Sequence, residues 1–125
     1  MYKLILILSL MLFSAKGYSN DSIQYIKSEA DSAYIQNQYE RAVELYLQLA
    51  NECKNDAQLY YNLGCAYLKI NKPRNAKWEF FKAIDLNNQE PDFYYNLAYT
   101  YKILKNDKQA KIYLDLYDKL LEQQQ

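Results

Sequence analysis

The sequence lacks histidine and has only two glycines, two prolines and two cysteines among its 125 residues. Without histidine the chain has neither the commonest general base nor the commonest metal ligand, and Cys53 and Cys65 alone are too few for a zinc site. No glycine-rich phosphate loop is present, and the acidic residues are scattered without a nucleophilic companion. These absences argue against an enzyme, and we expect no metal and no cofactor.

The chain also lacks an excess of charge of one sign, since its 15 basic and 15 acidic residues cancel. A balanced total does not indicate a polyanion-binding protein, so nucleic acid is not an expected partner. Half of the residues are hydrophobic, and the length fits one domain of ordinary size. The residue that the chain does have in quantity is tyrosine, at 15 positions.

Residues 1–17 have the pattern of a secretory signal peptide. Lys3 supplies a positive start, an apolar run extends from Leu4 to Phe13, and Ala15 and Gly17 form a small-residue cleavage site. Such a run rises only about 15 Å as a helix, roughly half of a bilayer core, which favours cleavage over a retained membrane anchor. We therefore expect an exported protein in the periplasm or cell envelope of a bacterium, with residues 18–22 as a short linker.

Export would bring Cys53 and Cys65 into an oxidising compartment, where a pair of thiols can form a disulfide. In a helical layout Cys53 ends one helix, and Cys65 lies about 12 Å further along inside the next. A disulfide needs Cα atoms within about 7 Å of each other. Two separate thiols are therefore the favoured interpretation.

From residue 21 onward the apolar residues recur at the three- and four-residue spacing of helices, and no stretch alternates like a strand. Breaks at 36–38, 55–56, 71–72, 87–90 and 105–106 divide this region into six segments of helix length. Pro73 and Pro91 stand where helices should begin, because the first turn of a helix tolerates a missing N–H.

Two stretches of the chain are nearly identical. Residues 60–67 read YYNLGCAY and residues 94–101 read YYNLAYTY, 34 residues later. When repeats start at residues 23, 57 and 91, the same period aligns small residues at positions 8 and 20 of each repeat and bulky residues at position 24. These are Ala30, Gly64 and Ala98; Ala42, Ala76 and Ala110; and Tyr46, Phe80 and Leu114. Because helices approach to about 8 Å where a small side chain meets a large one, the pattern predicts packed helix pairs.

These residues at this period resemble the tetratricopeptide repeat. The resemblance implies an all-α fold, a right-handed superhelical solenoid of three helix-turn-helix units over residues 23–124, with repeats at 23–56, 57–90 and 91–124. Glu29 departs from the pattern, since Leu63 and Leu97 stand at its position in the other two repeats. The family also implies a non-catalytic scaffold that holds a peptide or protein in a concave groove lined by the first helix of each repeat.

The groove positions of that family fall on tyrosines, amides and lysines of this sequence. The candidate partner-binding residues are Tyr34, Tyr61, Asn62, Lys69, Tyr95, Asn96, Tyr99 and Lys102, and the same positions include Asp31, Ile35 and Cys65. Tyrosine offers contact area at low entropic cost, and an asparagine amide pairs with a peptide backbone. The alternative is that the tyrosines only fill helix interfaces. Chaperone-binding members clamp a carboxylate with basic residues where this chain has Asp92 and Asn96, so that clamp is incomplete.

The last helix carries a second candidate surface, formed by Tyr113, Leu116, Tyr117 and Leu120. In the earlier repeats the residue equivalent to Tyr117 meets the next helix pair, so we expect these four side chains to leave an apolar face partly open for self-association or for a partner. A protein of this kind would be a structural subunit of an envelope complex. The alternative is that Tyr117 and the charged residues around it make this helix its own cap.

One edge of the predicted solenoid is basic. Two turns are surrounded by Lys69, Lys72, Arg74 and Lys77 and by Lys102, Lys105, Lys108 and Lys111. The basic side chains near the N-termini of the second helices are unfavourably placed for the helix dipole. Either they are ordinary solvated side chains, or they contact an acidic partner or an anionic membrane face. A narrower similarity, over ADSAYIQNQYERAVELYLQL and AQLYYNLGCAYLK, is to tetratricopeptide proteins of bacterial aerotolerance gene clusters. It supports a bacterial envelope setting.

Overall fold

The computed structural model describes residues 17–125, and these fold into six helices with short connections. The helices are α1 (Asn20–Ile35), α2 (Tyr39–Ala50), α3 (Ala57–Lys69), α4 (Pro73–Leu86), α5 (Pro91–Ile103) and α6 (Asp107–Gln123). Each packs against the next along the chain, so that three helix pairs stack into an all-α solenoid, as the sequence predicted. Within these residues no helix is long and apolar enough to cross a membrane. The predicted signal peptide lies outside the described residues, apart from Gly17.

The helices begin where the local sequence supplies a start signal. Ser19, Asp56 and Asn106 each accept a hydrogen bond through the side chain from a backbone N–H three residues later, which caps α1, α3 and α6. Pro73 and Pro91 are the first residues of α4 and α5, which confirms that the two prolines start helices.

The end of α2 differs from the prediction. The helix stops at Ala50 rather than at residue 54, because the backbone N–H groups of Glu52 and Cys53 turn back to the carbonyl oxygen of Leu49. Cys53 therefore lies in the connection before α3, not at a helix end. Both Cys53 and Cys65 are half-buried free thiols.

The turns inside the three helix pairs share one backbone geometry. Asn37, Asn71 and Lys105 occupy the same repeat position with φ values of 61°, 59° and 61°. In each turn the next N–H donates to a carbonyl oxygen five residues back, as from Gln38 to Ala33, which closes the helix. Asparagine tolerates this left-handed conformation, whereas lysine is disfavoured there.

The predicted meeting of small and large residues occurs in the first two repeats. Phe80 is fully buried, and a Cβ added at Gly64 would lie 2.6 Å from Phe80 Cε1. Tyr46 is likewise buried beside α3. The third repeat departs from the prediction, since Leu114 is 42% exposed. The reason is that the first helix of the next repeat packs against the helices that carry Tyr46 and Phe80, whereas among the described helices α6 packs mainly against α5.

Glu29 is accommodated without a buried charge. Its carboxylate lies 3.3 Å from Arg41 at a half-buried position, whereas the equivalent residues Leu63 and Leu97 are fully buried. The first repeat therefore keeps the helix pairing of the other two with a polar contact at this position.

Candidate partner-binding groove

A cavity of about 440 Å³ lies between the first helices of the first two repeats. We call it the α1–α3 cavity; it is lined by Asp31, Tyr34, Ile35, Tyr46, Tyr61, Asn62 and Cys65. Residues from late in α1 face residues from the middle of α3, because stacked helix pairs place their first helices side by side. Three of the eight predicted groove residues, Tyr34, Tyr61 and Asn62, lie in this cavity.

Tyr61 is held in place from two sides. Its hydroxyl accepts a hydrogen bond from Asn96 Nδ2 at 2.9 Å, and its ring centroid lies 5.0 Å from Phe93 and 5.8 Å from Phe80. Burial raises the pKa of Tyr61 well above its usual value, so the phenol stays neutral at physiological pH. Tyr61 is therefore both a wall of the cavity and a packing residue.

The side-chain amides of Asn62 and Asn96, both predicted groove residues, present different hydrogen-bonding groups to a ligand. Asn96 Nδ2 donates to Tyr61 and, at 3.0 Å, to the carbonyl oxygen of Asp92, which leaves its Oδ1 as an acceptor. Asn62 Oδ1 instead accepts from Gln58 Nε2 at 2.8 Å, and its Nδ2, which has two N–H groups, acts as a donor toward Tyr46. This contact acts to lower the pKa of the Tyr46 phenol, against the larger effect of burial. A peptide backbone beside α3 and α5 would meet one donor and one acceptor.

The repeat pattern predicts that Tyr46 packs between helices, and in the structure it also lines the α1–α3 cavity. Its hydroxyl donates to Asp31 Oδ1 across the gap between α1 and α2. Burial, followed by that hydrogen bond, raises the pKa of Tyr46 far above the usual value. The signal in the sequence was a tyrosine at position 24 of the first repeat, where the second repeat has Phe80. It occurs together with an aspartate, Asp31, at position 9, which is one of the positions that line the groove.

The remaining predicted groove tyrosines lie elsewhere. A second cavity, of about 510 Å³, is lined by Tyr95, Ala98, Tyr99, Lys102, Asp107, Ala110, Lys111 and Leu114. We call it the α5–α6 cavity. Tyr95, Tyr99 and Lys102 thus share a cavity with α6 and not with Tyr34 and Tyr61. The predicted lysines have contacts of their own: Lys102 lies 3.1 Å from Asp107, and Lys69 lies 5.7 Å from the ring centroid of Tyr39.

The four residues predicted to leave an open face on the last helix do not share one environment. Leu120 is only 9% exposed and packs with Phe93 and Tyr94, and Tyr113 stacks on Tyr101 at 5.6 Å. An open position is therefore wrong for Leu120, whereas Tyr113 is half-buried, because the residues that face α5 recur every three or four positions along α6. Tyr117 packs on Tyr95 at 5.2 Å, and Leu116 is exposed. The interface itself stays a prediction.

Part of the basic edge is engaged within the chain. Lys77 Nζ lies 5.0 Å from the ring centroid of Trp78 and 5.8 Å from that of Tyr101, and Lys111 pairs with Asp115 at 2.7 Å.

In the part of the chain that the structure describes, no three His, Cys, Asp or Glu side chains are grouped to hold a metal ion. Burial raises the pKa of the Cys65 thiol to about 11, which keeps it protonated and unreactive.

Comparisons with known proteins agree with this architecture. A family model described as "Tetratricopeptide repeat" matches residues 57–90 and 91–120, just over half of the chain. The human protein O-mannosyl-transferase TMTC3 is 35% identical over 75 residues, which are 60% of this chain and only 8% of the relative.

Two solved structures are similar in fold. MamA of Desulfovibrio magneticus RS-1 has a TM-score of 0.79 at 20% identity, covering 82% of this chain and 58% of its own. The Yersinia enterocolitica type III secretion chaperone SycD, solved with a peptide of the translocator YopD, also has a TM-score of 0.79 at 20% identity, covering 82% of this chain and 78% of its own. At this identity the likeness concerns the fold alone.

Proposed function

Because the chain belongs to the tetratricopeptide repeat family, we propose that it is an exported, non-catalytic scaffold that binds a peptide or protein partner in its concave groove. The α1–α3 cavity carries this proposal, since its aromatic, amide and carboxylate groups all face one opening between adjacent repeats. The SycD structure, which contains a YopD peptide, supports peptide binding as one use of this architecture.

The groups in the cavity suit an extended chain. Tyr34 packs edge-on against Tyr39 at 5.3 Å, so its ring is held rigid before any partner arrives. Ile35, at 78% exposure, offers an apolar contact at the rim. Rigid aromatic rings lose little entropy on binding, which is why they act as anchors at protein interfaces.

The first experiment is capture of a partner from the cell envelope by the purified protein, with the captured protein identified by mass spectrometry. Replacement of Tyr34 with alanine should weaken binding of that partner by about 1–2 kcal/mol while far-UV circular dichroism stays near wild type. Trp78→Ala is the matched control, because Trp78 is an exposed aromatic residue outside both cavities. Capture that survives Tyr34→Ala and Ile35→Asp but fails in Trp78→Ala would move the binding surface away from the groove.

Export is the second part of the proposal, and it rests on Lys3, the apolar run and the Ala15 and Gly17 site. We expect envelope material to begin at residue 18 when its N-terminus is sequenced. An intact Met1 on most molecules, recovered with the membrane fraction, would favour an anchored form. Recovery from the cytosol would contradict export.

A second candidate function is assembly into an envelope complex through the α5–α6 cavity. The observation that favours it is the exposure of Tyr95, Tyr99 and Leu114 around that cavity. Leu114→Lys should then abolish concentration-dependent sedimentation. Leu47→Lys is the control, because Leu47 has the same 42% exposure on α2. A strict monomer whose Leu114→Lys variant keeps full partner capture would remove this candidate.

A further inference from the structure

The α1–α3 cavity is negatively charged. Asp31 is the one charged side chain among the seven described residues that line it. The nearby cation Lys27 is held 2.6 Å from Asp56, and the hydrogen bond that Lys27 donates to Asp56 raises the pKa of Lys27. That pair leaves no net charge beside the cavity, so the carboxylate of Asp31 sets its sign.

Charges of both signs lie outside the wall of the cavity. Lys69 lies over the ring of Tyr39 and does not line the cavity, but its charge reaches Cys65 and acts to lower the pKa of that thiol. Asp92 is close enough that its charge adds to the effect of burial in raising the pKa of Tyr61. Asp31 is therefore the one charged side chain among the described residues on the wall of the cavity, and a cationic group that reaches it would be attracted.

The carboxylate of Asp31 has an oxygen available to a ligand. Tyr46 donates to Oδ1, and none of the described side chains hydrogen-bonds Oδ2. Asp31 is solvent-exposed, so the charge is not already buried by the fold. The hydrogen bond from Tyr46 fixes the orientation of the carboxylate, so less ordering is needed when a ligand binds.

Three tyrosine rings, Tyr34, Tyr46 and Tyr61, stand around this carboxylate. Burial is the largest cause that raises the pKa of each phenol above its usual value. All three are therefore neutral at physiological pH. The face of a neutral tyrosine attracts a cation, and its oxygen can accept a hydrogen bond from an ammonium group.

We propose that the α1–α3 cavity binds a lysine or arginine side chain of a peptide partner, with its charged end at Asp31 and its aliphatic stem against Tyr34, Tyr46 and Tyr61. This inference rests on the proposed groove function and names the chemistry of its ligand. The cavity volume of about 440 Å³ falls within the roughly 300–1,000 Å³ of typical ligand pockets. A peptide that presents a carboxylate here would be repelled by Asp31.

The test is a titration of four synthetic peptides, acetyl-Ala-Leu-X-Leu-Ala-amide with X as lysine, arginine, norleucine or glutamate, followed by NMR of the isotope-labelled protein. The lysine and arginine peptides should bind about 10-fold more tightly than the norleucine peptide, because norleucine keeps the stem and lacks the charge. The glutamate peptide should be weakest. The preference for lysine should shrink as salt is added, because exposed charge pairs are screened.

Asp31→Asn should remove the preference for lysine, so that the lysine and norleucine peptides bind this variant with equal affinity. Asp85→Asn is the matched control, since Asp85 is an exposed carboxylate on α4 outside the cavity. Tyr46→Phe removes one hydroxyl and should reduce the preference partly. The comparison of lysine with norleucine in the wild-type protein needs no variant, so it holds even if a substitution disturbs folding.

Equal affinity for lysine and norleucine peptides, an Asp31→Asn variant that keeps the preference, or the absence of any binding by the lysine peptide would each overturn the inference. Failure of the cation site can be distinguished from failure of the proposed groove function. If the captured envelope partner is lost on Tyr34→Ala while no lysine preference exists, the groove function stands and the cation site fails. If partner capture ignores the groove altogether, the proposed function fails.

Discussion

Gly64→Ala is predicted to destabilise the protein, although alanine is the better helix former. Gly64 lies in the middle of α3, and a Cβ placed on its backbone would lie 2.6 Å from Phe80 Cε1 and 2.9 Å from both Cδ1 and Cζ. The ring of Phe80 is fully buried, so it cannot move aside into solvent. The added methyl group must push α3 and α4 apart or force the ring into a strained rotamer.

The size of the effect is a difference between two terms. Replacing a mid-helix glycine with alanine favours folding by about 1 kcal/mol through helix propensity. Forcing an extra methyl group into a packed core costs about 1–3 kcal/mol. Because three ring atoms of Phe80 lie within 3 Å of the added carbon, we expect the upper part of that range. The net loss of unfolding free energy is then about 1–2 kcal/mol.

Urea denaturation followed by circular dichroism measures this loss directly. A double variant, Gly64→Ala with Phe80→Leu, should recover part of it relative to Phe80→Leu alone, because the smaller side chain makes room for the methyl group. Ala98→Gly is the matched control at the equivalent position of the third repeat, and we expect it to lose about 1 kcal/mol or more from propensity and the lost methyl. A Gly64→Ala protein more stable than wild type would refute the close approach of α3 and α4.

Three further changes probe the turns, the charges and the last helix. Lys105→Asn should raise the free energy of unfolding by about 0.5–1 kcal/mol in thermal melts, because asparagine tolerates the left-handed backbone there. Asp56→Asn should lose about 1 kcal/mol near neutral pH, and its deficit should vanish as the pH falls below 3.8, the ordinary pKa of the carboxyl group. Leu120→Ala should lose about 2–4 kcal/mol in urea and Leu121→Ala under about 0.5 kcal/mol, since Leu121 is 37% exposed.

The sign of the pH effect follows from the native-state pKa of Asp56. Burial acts to raise that pKa, but the hydrogen bonds from Lys27 and from the backbone N–H of Leu59, with the charge of Lys27, outweigh it and lower the value. Stability from the carboxylate is thus present above the unfolded-state pKa and is lost as the pH falls through the native one. The pKa of Lys27 is raised above 10.5, so its share is lost only in strong alkali. A deficit that stays constant from neutral to acid pH would contradict this assignment.

The other two predictions also have contrary results. A Lys105→Asn variant less stable than wild type would mean that the lysine side chain makes a stabilising contact at the turn. Equal losses for Leu120→Ala and Leu121→Ala would mean that both side chains face the same environment, which contradicts the packing of Leu120 against Tyr94.

The helix pairs could be predicted from the sequence because each depends on local signals. The two prolines start helices by removing an N–H that has no partner there, and Gly64 and Phe80 meet because their spacing follows the repeat. Lys105 was not predicted in a left-handed conformation, since only Asn37 and Asn71 carry a residue that signals one.

The grouping of the candidate site residues could not be predicted in the same way. Aligning the repeats assigns the same role to every residue at a given repeat position. The neighbours of each such residue, however, depend on which helix packs beside it. Tyr61 therefore accepts a hydrogen bond from Asn96 and lines a cavity that α1 also lines. Tyr95, at the same repeat position, packs instead against Tyr117 on α6. The contact between Tyr46 and Asp31 joins repeat positions 24 and 9, which carry a phenol and a carboxylate together only in the first repeat.

Site-directed photo-cross-linking tests the groove function most directly. A benzophenone amino acid is placed at Ile35, on the rim of the α1–α3 cavity, or at Trp78, outside both cavities; both side chains are well exposed in the native fold. If the groove binds the partner, irradiation in intact cells should give one dominant adduct from position 35 and little from position 78. Adducts of equal yield from both positions, or an adduct from position 78 alone, would contradict binding in the concave groove.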